Sequence, residues 1–249
     1  MRSPFSWKSD GIVLGIALLA PMAMTWVYFD VFAGQGNFTR ILYGGSKVAL
    51  GLLPISWFLW KRYQAMRSEE LTPLPRPVRR HELSIRLGLD FGLFTVAAIL
   101  VAYYVFLKDT SLLAGTGAIV QTKLNDAGVT SLSTFIIMAG FLSILHSAFE
   151  EYYWRWFVFG RLRTAIPWLY AALISSLGFM LHHVIVLWAF LPGSYGWLMT
   201  TLLSLGIGFG GFIWCCIYQY TGSILGAWIA HLCADLAIMW IGWDIVVSR

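Results

Sequence analysis

Seven times along this chain an apolar run reaches the length a helix needs to cross lipid, about 20 residues. The runs lie at Gly11–Phe29, Ile41–Trp60, Gly88–Leu107, Ser133–Phe159, Pro167–Phe190, Trp197–Tyr220 and Ser223–Val247. Inside a bilayer every backbone N–H and C=O must find a partner within the protein, so such runs fold as helices and not as open strands. Only 12% of the 249 residues are charged, about half the share of a soluble domain. The expectation is an all-α, polytopic transmembrane bundle of seven spans, or eight if one segment is split. Residues 1–249 read as a single membrane-embedded domain. The first run follows Arg2 and Lys8 as a signal peptide would, but it extends to about Tyr28 and is read as a retained span.

The loops carry the orientation. Lys61, Arg62, Arg67, Arg76, Arg79, Arg80 and Arg86 share one inter-span segment, and with Arg2, Lys8, Arg161 and Arg163 they fall on one side of an alternating bundle. The other side receives Arg40, Lys108, Lys123 and Arg249. The positive-inside rule then places the N-terminus in the cytoplasm of a multi-pass cell-membrane protein, with the basic loop touching anionic headgroups. That loop lacks the interleaved aromatics of a nucleic-acid surface, and no nucleic-acid partner is expected. Thr72-Pro73-Leu74-Pro75-Arg76-Pro77 breaks any helix there, and Val78–Leu87 is expected as a short interfacial helix. Trp7, Trp26, Trp60, Trp168, Trp197 and Trp243 lie near span ends, as an aromatic belt would. Gly206 and Gly210 have the GxxxG spacing of a close helix contact.

Ionisable groups within lipid cost on the order of 3 kcal/mol each and usually serve a function. The first three spans hold few, with Lys47 and Asp90 near span ends, whereas the last four hold His146, Glu150, Glu151, Arg155, His182, His183, His231 and Asp235. His146 and Glu150 are four apart and share a helix face; so are Glu151 and Arg155, on a face turned by about 100°. Pairing of Glu151 with Arg155 would leave Glu150 as the carboxylate without a local cation. His182 and His183, being adjacent, point different ways, so at most one should join Glu150 directly. His231 and Asp235 again share a face. Three helices could thus bring a carboxylate and imidazoles to one cavity, where water is activated and an oxyanion held. The chemistry implied is amide hydrolysis.

These residues fall into a pattern. Glu150-Glu151-Tyr152-Tyr153-Trp154-Arg155 resembles the EExxxR motif of the CPBP membrane proteases, the CAAX-protease and bacteriocin-processing group. Phe179-Met180-Leu181-His182-His183 resembles the second motif of that family, FxxxH, and His231-Leu232-Cys233-Ala234-Asp235 its third, HxxxN. The three occur in order in separate spans, so residues 133–247 are the expected core. The resemblance implies a glutamate-dependent endopeptidase without a cofactor. Glu150 and His183 would activate water, His231 with Asp235 would form the oxyanion site, and Glu151 and Arg155 would shape it. The substrate implied is a peptide or protein, with prenylated CAAX proteins among the family's substrates. Asparagine is usual where this chain has Asp235. An ionised aspartate cannot donate to an oxyanion, so Asp235 either stays protonated through burial or orients His231.

Other readings compete. Taken singly, His146 and His182 are packing residues, and Glu151–Arg155 is as readily a structural ion pair as a chemical one. Glu150, His183 and His231 could instead ligate a catalytic metal, two imidazoles and a carboxylate leaving a position for water, although no HExxH is present. A transporter would call for repeated halves, which the chain lacks. An immunity or chaperone scaffold would need no glutamate at position 150. No serine or cysteine is placed as a nucleophile, and Cys233, two residues from His231, is expected to face away from the site.

Overall fold

A computed structural model describes residues 6–31, 37–67, 79–113, 115–191 and 194–247, and among them the chain is helical with no strand. Eight helices follow one another: α1 Trp7–Val31, α2 Asn37–Arg67, α3 His81–Leu107, α4 Thr116–Asp126, α5 Leu132–Leu162, α6 Trp168–Phe190, α7 Gly196–Thr221 and α8 Leu225–Val247. Six of them, α1, α3 and α5 to α8, are long and apolar enough to cross a membrane. The second expected span falls in α2, a 31-residue helix outside those six. The molecule is a multi-pass membrane protein whose outer surface suits lipid. Leu93, Phe94, Phe106 and Ile137 are each more than 60% exposed there, which water would not tolerate in such numbers. Trp7, Trp26, Trp60, Trp168 and Trp197 are exposed near helix ends.

Local signals set the ends. Ser131 and Thr134 cap α5 reciprocally: the Ser131 hydroxyl accepts from the Thr134 amide, and the Thr134 hydroxyl from the Ser131 amide. Gly222 ends α7 at φ 68°, a left-handed conformation that costs glycine little. The segment expected as a separate interfacial helix differs. From His81 onward it is the first turns of α3 itself, because no proline follows Pro77 to interrupt it; residues 68–78 lie outside the described residues. The polar helix α4 lies in what reads from sequence as an external loop.

The closest helix contact is α3 on α8. Gly88 and Gly226 meet backbone to backbone, where any Cβ would collide. Ser84 seals the crossing by donating to the Ser223 carbonyl (3.1 Å) and accepting from the Gly226 amide (2.9 Å). Gly206 and Gly210 do not make the contact expected of them. Nothing lies within 4 Å of a Cβ built on Gly206, and only Trp214 of the same helix approaches Gly210. The inward face of α7 is carried instead by Gly208 and Gly211, where an added Cβ would meet Met180 at 3.0 Å and Phe179 at 3.1 Å, because each residue step turns the helix by about 100°.

A buried polar knot ties α1, α2 and α5 together at the ends that the charge rule assigns to the cytoplasm. Asp10 is fully buried. Its carboxylate lies 3.2 Å from Lys61 Nζ and 2.8 Å from Arg161 Nη2, and it accepts from Trp57 Nε1 (3.2 Å) and the Ser6 amide (2.7 Å). The Arg161 guanidinium also stacks over the Trp57 ring, 4.7 Å from its centroid. From sequence, Asp10 looks like a loop charge ahead of the first span. The structure makes it a clamp.

Candidate active site

The site is built on α5, whose backbone departs from the regular α-helix on both sides of the motif. Wide π turns run over Phe141–His146 and Tyr152–Phe159, with a single regular stretch, Ser147–Glu151, between them. Such turns recur at functional positions because they re-aim side chains. Here the regular stretch holds both glutamates.

Glu150 is the meeting point. Its Oε1 lies 3.3 Å from His146 Nε2 and 3.3 Å from His182 Nε2, and its Oε2 lies 3.7 Å from His231 Nε2. His146 reads as a packing residue in the sequence, yet it shares the carboxylate. The i, i+4 spacing already signalled this; the bland reading of a lone histidine hid it. His183 lies in the same group. Glu150, His182 and His183 each place one ligand atom within 4.8 Å of the others. His183 Nδ1 is 2.9 Å from the Phe179 carbonyl. A carbonyl only accepts, so Nδ1 carries a proton, and in the neutral ring Nε2 keeps its lone pair. His182 Nε2 meets Glu150, while its buried Nδ1 has no hydrogen-bond partner among the described residues.

A second line of groups fixes His231. Glu151 Oε1 accepts from His231 Nδ1 at 2.9 Å and stands 2.9 Å from Arg155 Nη1, with Glu151 and Arg155 completely buried. The Arg155 contact is an ion pair whose N–H direction is off the hydrogen-bond line. The guanidinium is gripped by two rings, 4.5 Å from the Phe179 centroid and 4.8 Å from that of Trp214. Trp214 also stacks on His231, with centroids 4.3 Å apart and planes within 18°. Trp154 lies parallel to His182 at 5.7 Å. His231 Nε2 therefore faces Glu150 and, at 3.6 Å, Asp235 Oδ1. No sequence signal pointed to Trp214, which sits on α7 outside every motif. Cys233 packs toward α3, where a Cβ on Gly92 would meet its Sγ at 2.9 Å.

Beside Glu150 a cavity of about 70 Å³ opens between α1, α2, α5 and α6, bordered by Glu150, His146, His182 and Trp154. It has room for water molecules and the polar partners to hold them. With this geometry in hand, residues 132–237 match the family model for Rce1-like, the type II CAAX prenyl endopeptidase Rce1-like family. Those residues are similar to that family, over less than half of the chain. Neither curated proteins nor solved structures give a match. The matched stretch takes in α5, α6, α7 and the part of α8 that holds His231 and Asp235.

Proposed function

We propose that the chain is a glutamate-dependent endopeptidase in which Glu150 activates water for attack on a peptide bond within the membrane. The observation that carries this reading is the Glu150 carboxylate, partnered by imidazoles from α5, α6 and α8 on the wall of a cavity that admits water. Glu150 takes the proton from water as its oxygen adds to the carbonyl carbon. His183 Nε2, held unprotonated by the Phe179 carbonyl, accepts a hydrogen bond from the same water. His182 and His146 hold Glu150 in place. The oxyanion receives the Nε2–H of His231 as an imidazolium, whose Nδ1–H is held by Glu151 and whose ring lies against Trp214. Glu150 then returns its proton to the leaving amine, and no acyl-enzyme forms.

Asp235, at 3.6 Å from the nitrogen that serves the oxyanion, acts in this scheme by orienting His231. Glu151 and Arg155 act through His231 and do not touch substrate. The buried site and the lipid-facing exterior suit a substrate that is itself membrane-bound, a lipid-modified peptide included. The N-terminus is assigned to the cytoplasm on the strength of the basic loops. No cofactor has a role here. A second reading is favoured by the spacing of Glu150, His182 and His183, whose ligand atoms lie close enough for a divalent cation to bridge them.

The test is cleavage of a peptide library, prenylated peptides included, by detergent-purified protein with and without a chelator. Glu150→Gln should lower the rate by about 10²–10⁴-fold while the protein stays folded, and wild-type cleavage should survive chelation. Loss to chelator and recovery with metal would transfer the same residues to a metalloprotease. A folded wild type that cleaves nothing would overturn the peptidase reading.

A further inference from the structure

One side chain beside the glutamates comes from a helix that carries none of the three motifs. α7 places Trp214, only 4% exposed, against the two groups that share Glu151. Glu151 Oε1 meets Arg155 Nη1 and His231 Nδ1, each at 2.9 Å, so a single oxygen serves both. Trp214 reaches the same two groups. Its ring lies 4.3 Å from the His231 ring, centroid to centroid and with planes 18° apart, and 4.8 Å from the Arg155 guanidinium carbon.

Three features set this contact apart from space-filling. Phe179 meets His231 edge-on, at 87°, whereas Trp214 offers it a face, and a π face attracts a cation. A buried indole usually finds a partner for its N–H, yet Trp214 Nε1 has none among the described residues. The ring is therefore placed by its face. Third, α7 is cut back one turn earlier, at Gly211, on the same side of the helix. A Cβ added there would meet Arg155 Nη2 at 3.0 Å and Phe179 at 3.1 Å, so the glycine makes room for the guanidinium to reach the indole. Neither Gly211 nor Trp214 borders the cavity beside Glu150.

We propose that Trp214 is a positioning residue for the oxyanion site, its indole face holding the His231 imidazolium and the Arg155 guanidinium in line with Glu151. The assignment rests on the peptidase reading of Glu150. His231 Nε2 has Glu150 Oε2 at 3.7 Å and Asp235 Oδ1 at 3.6 Å. A ring free to shift would settle on one of these carboxylates and withhold its proton from the oxyanion. Tryptophan attracts a cation more strongly than the other aromatic side chains, and burial excludes the water that would weaken the attraction. Trp214 thus acts through His231 and does not touch substrate.

The test alters Trp214 in the full chain, purified in detergent, and reads kcat and KM separately on a peptide that wild type cleaves. Trp214→Leu should lower kcat by about 10- to 30-fold and leave KM within about twofold. Trp214→Phe keeps a weaker π face and should recover most of that loss. Site-specific incorporation at position 214 of tryptophan bearing one, two, three or four ring fluorines drains the π face stepwise while the ring keeps its shape. kcat should fall with each fluorine, and the fall does not pass through the indole N–H, which has no hydrogen bond among the described residues to weaken. Wild-type kcat throughout the fluorinated series would mean that Trp214 only fills space and would overturn the assignment, as would unchanged kcat in Trp214→Leu. Where cleavage still depends on Glu150, either result leaves the peptidase reading intact. If Trp214→Leu does not fold, the fluorinated series decides alone. Cleavage that persists in Glu150→Gln, or none by folded wild type, would overturn both readings.

Discussion

Among the described residues, two sites of buried charge are built on opposite plans. At Asp10 one carboxylate receives a lysine, an arginine, an indole N–H and a backbone amide. Every lone pair is used, and both cations are permanent. At Glu150 the carboxylate is surrounded by imidazoles at 3.3 to 3.7 Å. The permanent cation nearby, Arg155, is directed instead to Glu151. A carboxylate locked by fixed cations serves to join helices. One held by imidazoles beside a cavity is, in the proposed scheme, the one that exchanges a proton with water.

The comparison breaks most visibly at Asp10. Asp10→Leu strands Lys61 and Arg161 at a buried position and should cost about 3 kcal/mol, read as easier unfolding in a denaturing-detergent titration. Activity per folded molecule should hold. Unchanged stability would mean that both cations reach the headgroups unaided. Next in size is the contrast between the paired histidines. His183→Ala should lower kcat by about 100-fold, and His182→Ala by nearer tenfold, since in the proposed scheme the first removes a group that touches water and the second a support for Glu150. The reverse order in a steady-state assay would exchange their roles. Smallest is Cys233→Ala, which should leave the rate unchanged because Cys233 packs on Gly92 of α3. Lost activity in a folded variant would sink the water-nucleophile scheme.

What could be read in advance follows the range of the interactions involved. Spans are local, and their apolar length fixes them, so α5 to α8 lie where the sequence places them. The i, i+4 pairs Glu151–Arg155 and His231–Asp235 are local as well. Contacts between helices depend on rotation and tilt, which no single segment encodes. Hence Gly206 and Gly210 have the right spacing on the wrong face of α7, and Trp214 became visible only when α7 was laid against His231. Asp10 was hidden for a related reason. Its partners are 51 and 151 residues away, and both looked like ordinary loop charges. The pair His182-His183 sits between these cases. Periodicity says that the two diverge, but only the neighbouring carboxylate and the Phe179 carbonyl distinguish what each nitrogen meets.

The π turns of α5 have a consequence for how this helix tolerates change in length. Each is an α-helix that has absorbed a surplus residue, and one residue shifts the phase of all that follows by about 100°. With surplus residues on both sides of Ser147–Glu151, the five-residue stretch is phased independently of the helix ends that pack on α1 and α8. A one-residue deletion in Phe141–His146 would restore a regular turn and swing Leu132–Gly140 around the axis, leaving Glu150 and Arg155 in register with each other. A deletion in Tyr152–Phe159 would pull Glu151 out of line with Arg161 and the clamp at Asp10. A change of length thus costs packing on both sides of the glutamates, Phe135 against Trp243 on one and the clamp at Asp10 on the other.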